Sequence, residues 1–160
     1  MKTIFLTQNK VAIVDDADFE FLNQFKWQYH LPGYAWRTDY SGGKKKTVPM
    51  HRLIINTPKG METDHINGNG LDNRRNNLRF ATKQENQMNQ RVQKRNKSSK
   101  YKGVNWHKVT QKWQVRIHKN KVVLHIGCFD SEKEAALAYN LKAQELFGEF
   151  ARLNIINNQI

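Results

Sequence analysis

The polar segment 61–90, METDHINGNGLDNRRNNLRFATKQENQMNQ, holds the residues whose types and spacing allow chemistry. Asp64 stands beside His65, a loop rich in Gly and Asn follows, and Asn77 and Asn86 come after it. A carboxylate and an amide oxygen are hard donors, which Mg2+ takes in small number beside waters and phosphate oxygens. A histidine next to such an ion titrates in the range needed to take a proton from an attacking water. The ion would stabilise the charge gathering on a phosphate and its leaving oxygen. The chemistry allowed is therefore hydrolysis of a phosphate ester. Singly, the same pieces also read as a structural His–Asp pair and as a set of Asn-rich turns.

Elements must hold these groups in place. Thr82-x-x-Glu85 is a capping box, so a helix starts at Thr82 and carries Asn86 early in its length. Upstream, residues 3–6 and 10–14 are rich in strand formers, and Asp15 and Asp16 offer an N-cap for a helix over 17–25, where Phe19, Leu22 and Phe25 recur every three residues. A turn at 31–33 leads to a strand over 34–38. A loop with Ser41, Gly42, Gly43 and Lys44 to Lys46 leads to a returning strand over 47–55. His51 falls on that strand and reads more readily as a structural histidine than as one facing a cleft. Downstream, Trp113, Val115 and Ile117 alternate with Gln114, Arg116 and His118, a half-buried strand. Strands over 101–107 and 121–127 flank it. Ser131-x-x-Glu134 caps a helix whose Ala135, Ala136, Tyr139, Ala143, Leu146 and Phe147 share a side and which ends at Gly148.

The chain of 160 residues has 27 Lys and Arg against 14 Asp and Glu, a formal net charge of +13. The surplus is even: +4 over 1–60, +5 over 61–100 and +4 over 101–160. It points to a polyanionic partner. The densest run, 87–100, holds Arg91, Lys94, Arg95, Lys97 and Lys100 without an acid or a core-forming stripe, and its second half reads as an exposed linker. No stretch approaches the ~20 apolar residues of a membrane span, and no basic amphipathic helix marks a membrane-surface binder. The one cysteine, Cys128, excludes an internal disulfide and a Cys-rich zinc site, and fits a reducing compartment. The expected location is cytoplasmic, without a targeting signal.

The spacing of D-H-I-N-G-N at 64–69, N-N-L-R at 76–79 and E-N-x-x-N at 85–89 resembles the HNH nucleases, with looser likeness through Met50-His51-Arg52-Leu53-Ile54. The resemblance implies the ββα-metal fold, with Asp64 and Asn86 as ligands of Mg2+ or another divalent cation such as Mn2+. It implies His65 as general base and Asn77 as the residue that ties the loop by hydrogen bonds to backbone. Cleavage would leave a 3′-hydroxyl and a 5′-phosphate. The paired cysteines of the zinc-stapled branch are absent. Over 100–155, Tyr101-Lys102-Gly103-Val104, Trp113-Gln114-Val115-Arg116-Ile117, Ile126-Gly127-x-Phe129-Asp130, Glu134-Ala135-Ala136-x-Ala138-Tyr139 and Ala151-Arg152-Leu153-Asn154 resemble an AP2 domain. That resemblance implies a sheet set in the major groove of double-stranded DNA, reading with Lys102, Asn105, His107, Gln114, Arg116, His118 and His125.

The expected fold class is α+β. An HNH nuclease domain with an N-terminal β-rich extension covers 1–90, a basic linker 91–99, and a three-stranded antiparallel sheet with one helix 100–160. Arg52, Arg74, Arg75, Arg79, Arg91, Lys94, Arg95 and Lys97 are candidate phosphate contacts. The combination is similar to free-standing homing endonucleases of phages and bacteria, acting as monomer or weak homodimer. Two other readings stay open at this point: a DNA-binding regulator that keeps the HNH segment as scaffold, and an RNA-directed module.

Overall fold

The structure, a computed structural model, describes residues 1–90 and 98–156, which divide into two units, Met1–Gln87 and Met88–Ile160. In the first, β1 (Lys2–Phe5) and β2 (Val11–Val14) pair antiparallel, with Ile4 opposite Ala12. The two-residue alternation of a strand turns Ile4, Ala12 and Val14 into the core and leaves Phe5 outside. The helix that follows, α1 (Asp16–Leu22), is shorter than the expected 17–25. Asp15 holds the N-cap position in extended backbone, but its side chain makes no capping bond. It accepts instead from the backbone N–H of Arg75 at 2.8 Å. At the other end Trp27 Nε1 donates to the Leu22 carbonyl at 2.8 Å, occupying an oxygen that a longer helix would use. Phe25 packs on the core from outside the helix.

β3 (Gln28–His30), β4 (Tyr34–Asp39) and β5 (Lys46–Pro49) form an antiparallel sheet in that order. The sequence gives no sign of β3, because three residues are too few to show alternation. The strand expected over 47–55 is corrected: pairing stops at Pro49, and α2 (Met50–Ile54) follows at once. Pro49 lacks an N–H and carries a fixed φ, which favours a helix start over a continuing ladder. Met50, Leu53 and Ile54 then fall at i, i+3 and i+4 and turn onto the core. β6 (Glu62–His65) and β7 (Leu78–Ala81) pair antiparallel and lead into α3 (Lys83–Met88). Both halves of the capping box are made: Glu85 N–H donates to Thr82 Oγ1 at 3.2 Å, and Thr82 N–H donates to Glu85 Oε2 at 2.7 Å.

In the second unit β8 (Val104–His107), β9 (Lys112–Lys119) and β10 (Val122–Phe129) form an antiparallel sheet with β9 central. Asn120 and Lys121, both at positive φ, make the tight turn between β9 and β10. Helix α4 (Glu132–Phe147) starts at Ser131, whose hydroxyl accepts from Lys133 N–H. It buries Ala135, Ala136, Tyr139 and Ala143 against Tyr101, Val104, Val115 and Ile117. Ser98 and Ser99, the end of the expected linker, belong to this unit: Ser98 Oγ accepts from Trp106 N–H at 2.7 Å, and Ser99 Oγ donates to Glu132 at 2.6 Å. Among the described residues no helix is long and apolar enough to cross a membrane.

Gly103 is where this unit tolerates no side chain. Its φ is +76°, and a Cβ there would lie 2.1 Å from the Tyr139 ring and 2.8 Å from the Arg116 carbonyl oxygen. Gly103→Ala should therefore lower stability by at least about 2 kcal/mol in urea unfolding, through overpacking and backbone strain. Gly42→Ala, where nothing lies within 4 Å of the new carbon, should change it by less than about 0.5 kcal/mol.

Candidate active site

β6 is covered on both faces, so Thr63, Asp64 and His65 are all buried although all are polar. Strand register decides their partners. Asp64 lies opposite Arg79 on β7, and the guanidinium donates to Asp64 Oδ2 from Nε at 2.9 Å and from a terminal nitrogen at 2.7 Å. The side chains are 4% and 12% exposed, so each charge needs the other to remain in place.

Alternation turns His65 to the other face. There its Nε2 is 3.2 Å from Oδ1 of Asn73, a fully buried amide. The His51 ring stands edge-on at 5.1 Å between centroids and the Tyr34 ring at 5.7 Å, with Tyr34 and His51 5.4 Å apart. Tyr34 reaches this position because Gly70 has no side chain: a Cβ there would lie 2.6 Å from the Tyr34 ring and 2.3 Å from the Gly33 carbonyl oxygen. Burial pushes the His65 pKa down, against the upward pull of the Asn73 hydrogen bond and of Asp64 and Asp72. Burial first, then His65 and Arg52, lowers His51 to about 3. Burial and the Asp64 and Glu62 carboxylates raise the Tyr34 hydroxyl.

The loop between β6 and β7 is tied by its own amides. Asn77 Oδ1 accepts from Asn67 N–H at 3.0 Å, and Asn77 Nδ2 donates to the Asp72 carbonyl at 2.7 Å. Asn67 Nδ2 donates to the Asp72 carboxylate at 2.8 Å. Strand β2 braces the loop from outside: Ile13 N–H donates to the Leu71 carbonyl and Asn73 N–H to the Ile13 carbonyl, both at 2.8 Å. The N-terminal hairpin is thus a structural part of this site.

On α3, Asn86 Nδ2 donates to Glu62 Oε2 at 2.5 Å, which fixes the orientation of the amide. Among the described residues no group of three or more His, Cys, Asp or Glu could hold a metal. The donors expected from the sequence, the Asp64 carboxylate and the Asn86 amide oxygen, are of the sparse hard-oxygen type that suits a Mg2+-type ion retaining waters.

The candidate phosphate contacts divide. Arg52 donates to the carbonyls of Met61 at 2.8 Å and of Thr57 and Pro58 at 3.4 Å, and so ties α2 to the segment before β6. Arg74 pairs with Asp72 through two nitrogens, Arg75 with Asp18 likewise, and Arg79 with Asp64. These four guanidinium groups serve protein acceptors. Lys102 donates to the carbonyls of Met88 and Gln90. Arg91, Lys94, Arg95 and Lys97 lie outside the described residues. In the second unit Asn105 lies opposite Gln114, and Arg116 and His118 lie opposite His125 and Val123, on the sheet face away from α4. Asn105, Arg116, His118 and His125 are exposed there, while His107 Nδ1 and the Thr110 hydroxyl are 2.9 Å apart.

Sequence reasoning missed Asn73 and Tyr34 and placed His51 on the wrong element. The signal for His51 was present in Pro49 followed by apolar residues at helical spacing. Nothing in the pattern marks Asn73 among its neighbouring asparagines.

Residues 56–88 match the family model for HNH endonuclease. The chain is 34% identical over 153 residues to an uncharacterized HNH endonuclease of Acanthamoeba polyphaga mimivirus, across 91% of this chain and 75% of that protein. It is 35% identical over 95 residues to Protein 3.8 of Escherichia phage T7, across 59% of this chain and 77% of that protein. No solved structure matches.

The depressed His51 makes stability depend on pH. The unfolded chain protonates this ring near its ordinary 6.5 and the folded chain only near 3, so unfolding takes up a proton between those values. Stability is therefore lost as pH falls through that window. The neighbours Arg52, Tyr34 and His65 are unchanged in His51→Phe. That variant should show a smaller loss of urea midpoint stability between about pH 7.5 and about pH 5, by about 1–2 kcal/mol.

Proposed function

This chain belongs to the HNH endonuclease family, and on that footing we propose that it is a metal-dependent DNA endonuclease that hydrolyses phosphodiester bonds and is targeted by its C-terminal unit. One observation carries the reading: a buried histidine with a lowered pKa beside a buried carboxylate, in a strand–loop–strand–helix element whose helix bears Asn86.

In this reading His65 takes a proton from a water whose oxygen attacks the scissile phosphorus. The bond from phosphorus to the 3′ oxygen breaks, and that oxygen keeps the electron pair and is protonated to a 3′-hydroxyl, leaving a 5′-phosphate. A divalent cation such as Mg2+ or Mn2+, held by Asp64 and Asn86, supplies charge stabilisation at the phosphate and the leaving oxygen. Arg79 holds the Asp64 carboxylate in place, Glu62 orients the Asn86 amide, and Asn77 fixes the loop that carries His65 into position.

The residues over 1–90 form the nuclease domain in this proposal, and those over 100–160 an AP2-like domain joined by the basic linker 91–99. The outer sheet face, with Asn105, His107, Gln114, Arg116, His118 and His125, meets base edges in the major groove. Arg91, Lys94, Arg95 and Lys97 grip phosphates and give binding its salt dependence. Pairing a cutting domain with a reading domain suits a homing-type enzyme.

Purified protein should nick or linearise plasmid DNA with Mg2+ or Mn2+, and EDTA should stop it. His65→Ala should abolish cleavage and leave plasmid affinity within about twofold, since the ring is not a charge contact. Equal loss of cutting and binding would overturn the role of His65, and tight binding without any cleavage by the native chain would favour a regulator. A chain truncated after Gln90 should lose target choice. Unchanged cut positions in that truncation would refute targeting by the C-terminal unit.

A further inference from the structure

Both ends of the β4–β5 hairpin start from the histidine centre. Tyr34, the first residue of β4, sets its ring against His65, and β5 ends at Pro49, just before His51, whose ring also meets His65. From there the hairpin runs outward. At a rise of about 3.3 Å per residue, β4 carries the turn at Tyr40 to about 20 Å from Tyr34.

Register assigns the two faces of this sheet. Tyr29 lies opposite the buried Ala35 and packs on the core, and Arg37 on the same side lies over the Phe25 ring at 4.3 Å. The other face, with His30, Tyr34, Trp36, Thr38 and Thr47, is the one that meets His65. His30 is exposed and stacks flat on Trp36, with centroids 4.3 Å apart and planes 4° apart. Over residues 28–49 the one acid is Asp39. Alternation puts it on the core side, where Arg37 and the Ser41 N–H donate to it. At the tip Tyr40, Lys44, Lys45 and Lys46 are exposed. Lys46 lies opposite Asp39, whereas Lys44 and Lys45 have no carboxylate or carbonyl partner among the described residues. The arginines near His65, by contrast, serve protein acceptors.

A face of rings and hydroxyls without a carboxylate, ending in unengaged lysines, suits a polyanion laid along it. We propose that the β4–β5 hairpin is a second DNA-contacting surface: its outer face lies along the duplex beside the cut, and Lys44 and Lys45 hold backbone phosphates about six base pairs away. The placement beside a cut rests on the endonuclease reading.

Fluorescence anisotropy on the full chain carrying His65→Ala, which leaves the DNA intact, reads affinity for a duplex of about 30 base pairs across a salt series. Adding Lys44→Gln with Lys45→Gln should weaken binding about 5- to 30-fold at about 0.1 M salt and reduce the slope of log affinity against log salt by about 1–2. Lys44→Arg with Lys45→Arg should restore both. Lys10→Gln with Lys26→Gln, an equal loss of charge elsewhere in the unit, should change the slope by less than about 0.5. An equal loss in that control, or no loss in the tip variant, would overturn the surface. Lysine effects seen with structured RNA and not with duplex DNA would overturn the choice of partner. With His65 restored, trimming one flank from about 15 to about 3 base pairs beyond a mapped cut should raise the native KM about 5- to 30-fold and leave that of the tip variant unchanged. A native KM indifferent to trimming on either side would refute the placement beside the cut. A chain that grips duplex through Lys44 and Lys45 but never cuts it would support the surface and count against the endonuclease reading.

Discussion

Between β6 and β7 the chain buries Asp64, His65, Asp72, Asn73 and Asn77 within one short stretch, and the first unit is organised around pairing the donors and acceptors this takes out of water. A buried polar group without a partner costs about 1–3 kcal/mol, so a loop of this composition holds together only if almost every group is answered. Asn67, Asn77 and Arg74 answer Asp72, Arg79 answers Asp64, and the backbone of β2 answers Leu71 and Asn73. Four buried side-chain atoms of the described residues stay without a partner: Trp36 Nε1 and Arg37 Nε on β4, and His51 Nδ1 and Asn73 Nδ2, the last two beside His65.

The same constraint redistributes the positive charge. Four arginines near the HNH segment look in the sequence like a grip for phosphate. In the fold each guanidinium serves a carboxylate or a carbonyl: Arg52 at the end of α2, Arg74 and Arg75 in the loop, Arg79 across the strand pair. Arginine is suited to this, because its planar fork meets a carboxylate with two hydrogen bonds at once. The surplus of +13 therefore overstates the positive charge that the first unit leaves unengaged by its own acceptors.

Legibility differed between the units for a physical reason. In the second, β9 is eight residues long and half-buried, and α4 is sixteen residues with a capping serine and a closing glycine. Elements of that length repeat their pattern often enough to be read, and the face facing α4 follows from alternation alone. In the first, the helices run five to seven residues and β3 only three. Such elements form because neighbours cover them, not because local preference requires them. Hence α1 ends early where Trp27 takes the Leu22 carbonyl, and a stretch that reads as strand becomes α2 after Pro49.

The sequence by itself determined the chemical types on hand: a carboxylate beside a histidine, amides at fixed spacing, the capping box that starts α3, and an even basic surplus. Those depend on residue identity and on contacts a few positions apart. Tertiary structure alone decided that His65 lies against His51, Tyr34 and Asn73, fourteen, thirty-one and eight positions away in the chain. It alone decided that the N-terminal hairpin braces the loop and that the nearby arginines are spent on protein acceptors. Hydrogen bonds and ring contacts act over a few ångströms, and only the folded chain sets which distant residues come that close.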